Sequence, residues 1–388
     1  MRYPAFYISS AVKSAISWGG IALCSLRKSR GRNSVGEYRR IAIIQMGHLG
    51  DILLTVPLLT AFAEKYPDAE ITVVVGRWGK RVVETFAPHV KVLTYDSKKF
   101  DRDRTEEDTS TPSLRDFDLL FHVRSDIKLV FECFRNRKAT FFHALPRRND
   151  LRWAPLYLLG LPWSKGNVLH QYDVFRDVLE NMGIPLPERP SLEVRPEWDD
   201  SLRRLMDAKG IGMDSLAVMH PGAPWEPRRW PLDNFIRLAE ELITGYKLKV
   251  AVIGSAGEKS LVRAFEANGV PVLDLTDSLE LSQLAAFLKA ARVYIGNDSG
   301  PAHLAAMVGA PVLCFYGPQE PGLFGALARE RVWLKGNTFC SPCWQATCVY
   351  GENNCMSLIT VDDAKSAVRQ LLERQPNRLS SSMKGTTS

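Results

Sequence analysis

Four short runs of this 388-residue chain carry side chains of the kinds that do chemistry. The first is Gly47-His48-Leu49-Gly50-Asp51, directly after the apolar run Ile41 to Met46. If that run is a strand of a doubly wound sheet, the turn lies at the carboxyl end, where ligands collect and glycines permit close approach. Asp51 then stands at the start of the next helix, a place where Asp serves equally well as a plain helix cap. The second run, His220-Pro221-Gly222-Ala223-Pro224-Trp225-Glu226-Pro227-Arg228-Arg229-Trp230-Pro231, again follows an apolar run. Its two adjacent guanidinium groups could grip a pyrophosphate through charge-assisted forks; a stiff surface loop with solvated arginines is the alternative.

The third run is Tyr294-Ile295-Gly296-Asn297-Asp298-Ser299-Gly300-Pro301-Ala302-His303. A strand ending in Asn-Asp-Ser-Gly, with Pro in the first helical turn, leaves helix amides free to cradle a phosphate. His303 falls in that first turn and can add a donor to a diphosphate oxygen; an ordinary capped helix with an incidental His is the plainer reading. A further turn, Tyr316-Gly317-Pro318-Gln319-Glu320-Pro321, is expected at the same sheet edge. The fourth run is Cys340-x2-Cys343-x4-Cys348-x6-Cys355, whose first pair has metal-knuckle spacing. It fits a structural zinc or iron site, or equally four reduced thiols that pair on oxidation.

The elements that must position these runs alternate between short apolar stretches and amphipathic helical ones from Arg40 onward, the pattern of βαβ units and parallel sheets. Strands are expected at Ile41 to Met46, Ile71 to Val75, Val90 to Tyr95 and Leu119 to Val123, then at Leu216 to His220, Lys249 to Ile253, Val270 to Leu275, Val293 to Gly296 and Val312 to Tyr316. Pro185, Pro187, Pro190 and Pro196 mark a linker between two α/β halves. The spacing therefore predicts two doubly wound domains, 40–190 and 191–375, facing each other across a cleft. The charged segment Lys98 to Asp116 reads as an exposed loop, and residues 376–388 as a disordered polar tail. Residues 1–39 form an extension in which an interrupted apolar stretch precedes Arg27, Lys28, Arg30 and Arg32. It is either a membrane-surface segment or a loosely packed arm.

Composition removes several classes. With 45% hydrophobic and 24% charged residues the chain is neither disordered nor a polytopic membrane protein. Seven cysteines are too few for a disulfide scaffold, and Met1 to Leu26 does not read as a secretory signal, lacking a basic start, an unbroken apolar core and a small-residue cleavage site, so a reducing cytoplasm is expected. A net charge of +7 favours anionic partners without choosing among them. There is no G-x-G-x-x-G fingerprint and no Walker A lysine, which counts against nicotinamide dehydrogenases and phosphate-loop ATPases.

Taken together, Gly50-Asp51 with Pro57, His220-Pro221-Gly222-Ala223 with Arg228 and Trp230-Pro231, Gly254-Ser255 with Glu258, and Asn297-Asp298-Ser299-Gly300-Pro301-x-His303 with Tyr316-Gly317-Pro318 resemble the heptosyltransferase family of glycosyltransferases. The resemblance runs from about Arg40 to Leu372. It implies a GT-B architecture of two Rossmann-like domains, the first holding an acceptor and the second a nucleotide sugar. It further implies an inverting transfer of heptose from ADP-heptose to the lipopolysaccharide inner core, at the cytoplasmic face of the inner membrane, with no nucleic acid involved. On this resemblance Asp51 is the catalytic base, Arg228 replaces a diphosphate-binding lysine, and Asp298, Ser299, Gly300 and His303 contact donor phosphates and sugar. Glu258 is the nucleoside-side carboxylate, and His48 and Gly50 lie on the acceptor side. No metal is needed for catalysis, and the cysteine cluster looks like a family feature. Gln45 departs from the pattern, standing where the family often has Arg. The competing expectations are a GT-B transferase or epimerase using another nucleotide sugar, and a non-catalytic glycan-binding paralogue.

Overall fold

The computed structural model describes residues 38–95, 111–125, 127–136, 138–143, 170–213, 215–343, 348–351 and 354–374. The expected N-terminal extension up to residue 37, the polar tail, and most of the charged segment from Lys98 lie outside the described residues. The chain divides into two compact units, Met1–Glu188 and Arg189–Ser388, and this division falls inside the Pro-rich stretch. No helix among the described residues is long and apolar enough to cross a membrane.

In the first unit the strands are β1 (Arg40–Gln45), β2 (Glu70–Val75), β3 (Lys91–Thr94), β4 (Leu119–Arg124) and β5 (Thr140–His143), all parallel, in spatial order β3-β2-β1-β4-β5. Helices α1 (Leu49–Lys65), α2 (Lys80–Phe86), α3 (Ile127–Arg135) and α4 (Gln171–Glu180) accompany them. β1 is apolar without alternation, Ile41-Ala42-Ile43-Ile44, because both faces of a parallel sheet are covered. Ala42, Ile44, Val74, Leu120, Leu129 and Phe141 belong to one core cluster. β5 was not foreseen; its Thr-Phe-Phe-His run is only four residues long and pairs at the sheet edge.

The second unit contains α5 (Pro196–Ala208), β6 (Leu216–His220), α6 (Leu232–Thr244), β7 (Lys249–Val252), α7 (Lys259–Ala267), β8 (Leu273–Asp274), α8 (Leu281–Ala290), β9 (Val293–Asn297), α9 (Gly300–Met307), β10 (Val312–Tyr316), α10 (Pro321–Phe324), β11 (Arg331–Lys335) and α11 (Val361–Glu373). Its parallel sheet has the order β11-β10-β9-β6-β7-β8. The run Val270 to Leu275, expected as a full strand, pairs over only two residues at the edge. Pro196, the last of the expected linker prolines, instead opens α5, where its fixed φ suits the first turn. The core centres on Trp230, whose ring stacks on Phe315 at 4.2 Å and meets Phe235 edge-on at 5.0 Å. Each fully buried large apolar side chain of this kind contributes roughly 1.5–3 kcal/mol.

Both sheets reverse their strand order once, between β1 and β4 in the first and between β6 and β9 in the second. At such a reversal the loops leaving the two neighbouring strands diverge and open a crevice beyond their carboxyl ends.

Candidate active site

At the first reversal, β1 leads into Gly47 and His48, and α1 begins at Leu49 with His48 as its N-cap. Asp51 is therefore not the cap residue but stands three positions further, completing a capping box: its Oδ2 accepts the His48 amide at 2.8 Å. The same oxygen receives Arg124 Nη1, from the last residue of β4, at 3.0 Å. The Asp51 side chain is 16% exposed, so part of the carboxylate reaches solvent. Gly47 is required here, because a Cβ at that position would lie 2.4 Å from Asp51 Oδ2. Gln45 turns inward and is buried, its amide bonding Thr55 Oγ1 at 3.1 Å and accepting the Gly47 amide at 3.0 Å. Gly50 is buried in the first turn of α1, and the His48 ring stacks near Trp78 with centroids 6.3 Å apart. Asp51, His48 and Gly50 are thus brought together, and the residue that sequence reasoning missed is Arg124. Its only signal is a basic side chain at the carboxyl end of a strand that neighbours β1.

At the second reversal, His220 ends β6 and Asn297 ends β9. The buried Asn297 amide donates to Pro221 O at 2.8 Å while its Oδ1 accepts the Trp230 amide at 2.9 Å, so one side chain pins both ends of the Pro-rich loop. Arg228 lies between Trp225, whose ring centroid is 4.4 Å from its guanidinium carbon, and Asp298, whose Oδ2 is 3.0 Å from Nη1. Arg229 instead donates twice to Ala223 O, at 3.0 and 2.8 Å, and so fixes the loop. Of the two guanidinium groups expected to grip a pyrophosphate, only Arg228 faces Asp298; the other is a loop brace.

Ser299 is the N-cap residue of α9, with Gly300 and Pro301 in the first turn and His303 buried beside them. Ser299 Oγ is 3.0 Å from His220 Nδ1, and His220 Nε2 is 3.6 Å from Glu258 Oε1. Glu258 closes a capping box with Ser255, whose amide and hydroxyl donate to Oε2 at 2.7 and 2.8 Å. Burial alone would raise the Glu258 carboxyl, but His220 and the two Ser255 donors outweigh it and bring the pKa down to about 2. Gly222 makes room for this group, since a Cβ there would stand 1.7 Å from Glu258 Oε1. Arg228, Glu258, Asp298 and Ser299 follow strands β6, β7 and β9 around the reversal, and Gly300 and His303 stand in the first turn of α9 beside them.

A pH dependence of stability follows. An unfolded Glu titrates near 4.5 and Glu258 in the fold near 2, so its contribution is complete above about pH 4.5 and is lost as the pH falls towards 2. The urea midpoint should decline across this window more steeply for the wild type than for Glu258→Gln.

Cys340, Cys343, Cys348 and Cys355 are free thiols lining one pocket of about 250 Å³, together with Pro227 and Pro318 from the loops just described. Burial, then the neighbouring Cys343, Cys348 and Cys340, push the Cys355 thiol up to about 11. As a donor set the four sulfurs suit zinc or iron. Their spacing is not that of a ligand shell: among the described residues no group of three or more His, Cys, Asp or Glu side chains is arranged to hold a metal ion.

Comparison with known proteins decides the family. The model of glycosyltransferase family 9 (heptosyltransferase) matches residues 160–353, half of the chain. Lipopolysaccharide heptosyltransferase 2 of Salmonella typhimurium is 32% identical over 75% of this chain and 86% of the relative. The chain belongs to glycosyltransferase family 9. Lipopolysaccharide heptosyltransferase 1 of Pseudomonas aeruginosa is also similar, at 27% identity over 80% of this chain and 88% of its own length. Among solved structures, the family 9 glycosyltransferase of Veillonella parvula has the same fold, with a TM-score of 0.64 and 19% identity, covering 87% of this chain and 98% of that one. The expected α/β fold of two parallel-sheet domains, the GT-B class, and the assignment to glycosyltransferases both stand.

Proposed function

We propose that this family 9 transferase moves a heptose from ADP-heptose to the lipopolysaccharide inner core with inversion, in one displacement. Attack of an acceptor hydroxyl on the anomeric carbon forms the new glycosidic bond as the bond to the ADP oxygen breaks. Asp51 takes the hydroxyl proton, and ADP leaves with its charge held by Arg228, His303 and the first amides of α9. The observation that carries this reading is the β6/β9 crevice. It presents the Arg228 guanidinium, on the Pro-rich loop pinned by Asn297, together with the N-terminus of α9, a pairing suited to a diphosphate. The cations and amides supply the charge compensation, so the reading calls for no metal at the diphosphate. His48 and Gly50, beside Asp51, would border the acceptor.

The acceptor, a Kdo-lipid A or heptosylated core, is anionic, which suits the net charge of +7. Such a lipid substrate places the enzyme at the cytoplasmic face of the inner membrane. The four thiols are not spaced as a metal shell, and two readings of the cluster stand: a structural zinc or iron site that forms only if they close together, or four reduced thiols. Elemental analysis of purified protein separates them, since protein free of both metals refutes the first.

The test of function is incubation with ADP-heptose and a panel of truncated core lipids, following ADP release and a one-heptose gain in mass. Turnover with another nucleotide sugar alone would overturn the heptosyl assignment and keep the GT-B one. Gly222→Ala, which must push the Glu258 carboxylate from its place, should weaken ADP binding about 10-fold by calorimetry.

A further inference from the structure

Among the described residues, the Asp51 carboxylate is held through one oxygen. Both bonds it accepts, from the His48 amide at 2.8 Å and from Arg124 Nη1 at 3.0 Å, fall on Oδ2, and among the described residues no bond reaches Oδ1. The two donors come from different elements that the sheet brings together. β1 shifts register between Ile44 and Gln45, so that Gln45 pairs with Arg124, and the Met46 amide then bonds Arg124 O at 2.8 Å. The backbone of Arg124 is thus locked to the strand that leads into Gly47 and Asp51, and Gly47 lets the carboxylate lie flat against the turn. A carboxylate rotating about its terminal torsion would break both bonds at once.

From this arrangement we infer that Arg124 is a positioning residue for the transfer: its guanidinium, together with the His48 amide, holds Oδ2 so that Oδ1 is presented to the acceptor hydroxyl. The inference rests on the reading of Asp51 as base. Holding a reacting group to a fraction of an ångström matters, since a misplacement of about 1 Å costs on the order of 10²-fold in rate. The backbone amide alone leaves Oδ2 with a single donor along one direction; the guanidinium supplies a second donor to the same oxygen from another element.

Wild type, Arg124→Ala, Arg124→Lys and Asp51→Asn are assayed with ADP-heptose and Kdo-lipid A. Arg124→Ala should lower kcat about 10- to 100-fold with KM for the lipid within about twofold. Arg124→Lys should fall between, and millimolar guanidinium should restore part of the Ala variant's rate. Full kcat in Arg124→Ala overturns the inference, as does a loss confined to the lipid KM with no rescue, which would make Arg124 an acceptor contact. Normal turnover of Asp51→Asn would instead bring down the base assignment, a different failure read in the same assay. If no lipid turns over, crystal structures decide: an Asp51 carboxylate displaced in Arg124→Ala supports positioning, and one superposing on the wild type refutes it.

Discussion

Asp51→Asn should lower kcat by about 10²–10⁴-fold, the range set by removing a positioned general base, while ADP binding and thermal stability stay near the wild type. Asparagine keeps the shape of the side chain, and its carbonyl oxygen can still accept the His48 amide that closes the capping box of α1. Arg124, 44% exposed, gives up its ion pair with Asp51 at little cost. Asp51→Ala is the less clean variant, because it also removes the cap bond, worth about 1 kcal/mol. Single-turnover rates with saturating donor, set beside an ADP titration, separate chemistry from binding. An Asp51→Asn protein with undiminished turnover would move the base elsewhere.

The pair Arg228–Asp298 should show the largest effect on both binding and stability. Its side chains are 15% and 8% exposed, so truncating one removes a salt bridge from a largely buried charge. Arg228→Met is expected to cost about 3 kcal/mol in unfolding free energy and to weaken ADP about 10- to 100-fold. The double variant Arg228→Met with Asp298→Asn should recover most of the stability, since no buried charge then loses this salt bridge, yet bind ADP no better than the single. Recovery of ADP binding in the double variant would mean that the pair serves the fold alone. Arg228→Lys retains the charge but not the flat group that lies over Trp225 at 4.4 Å, and should fall between wild type and Met.

Much of this was legible in the chain. Continuous apolar runs such as Ile41 to Ile44 and Val312 to Tyr316 declare buried parallel strands, and the turns and helix starts after β1 and β9 carry the polar residues of both sites. What local pattern does not contain is the pairing of elements far apart in sequence. Arg124 is one basic residue among many until strand order sets β4 beside β1, 73 positions from Asp51. Arg228 and Arg229 are equivalent on paper, and only the fold turns one towards Asp298 and the other onto Ala223 O. Asp51 reads as a helix cap because Asp so often caps; the structure gives that place to His48. Pro196 reads as linker because prolines precede it, although the first turn of a helix tolerates proline equally well.

Trp230 ties events in time as well as space. Its indole N–H donates to Ile359 O at 2.8 Å, just ahead of α11, while its own amide is held by Asn297. The loop bearing Arg228 therefore reaches its final form only after a segment 129 residues downstream has been made and has docked. A chain emerging from the ribosome completes the core around β1 long before that point. Nucleotide-sugar binding is accordingly among the last properties a nascent molecule acquires, and a polypeptide broken off before Ile359 would lack the carbonyl that holds the Trp230 indole and with it a finished donor loop.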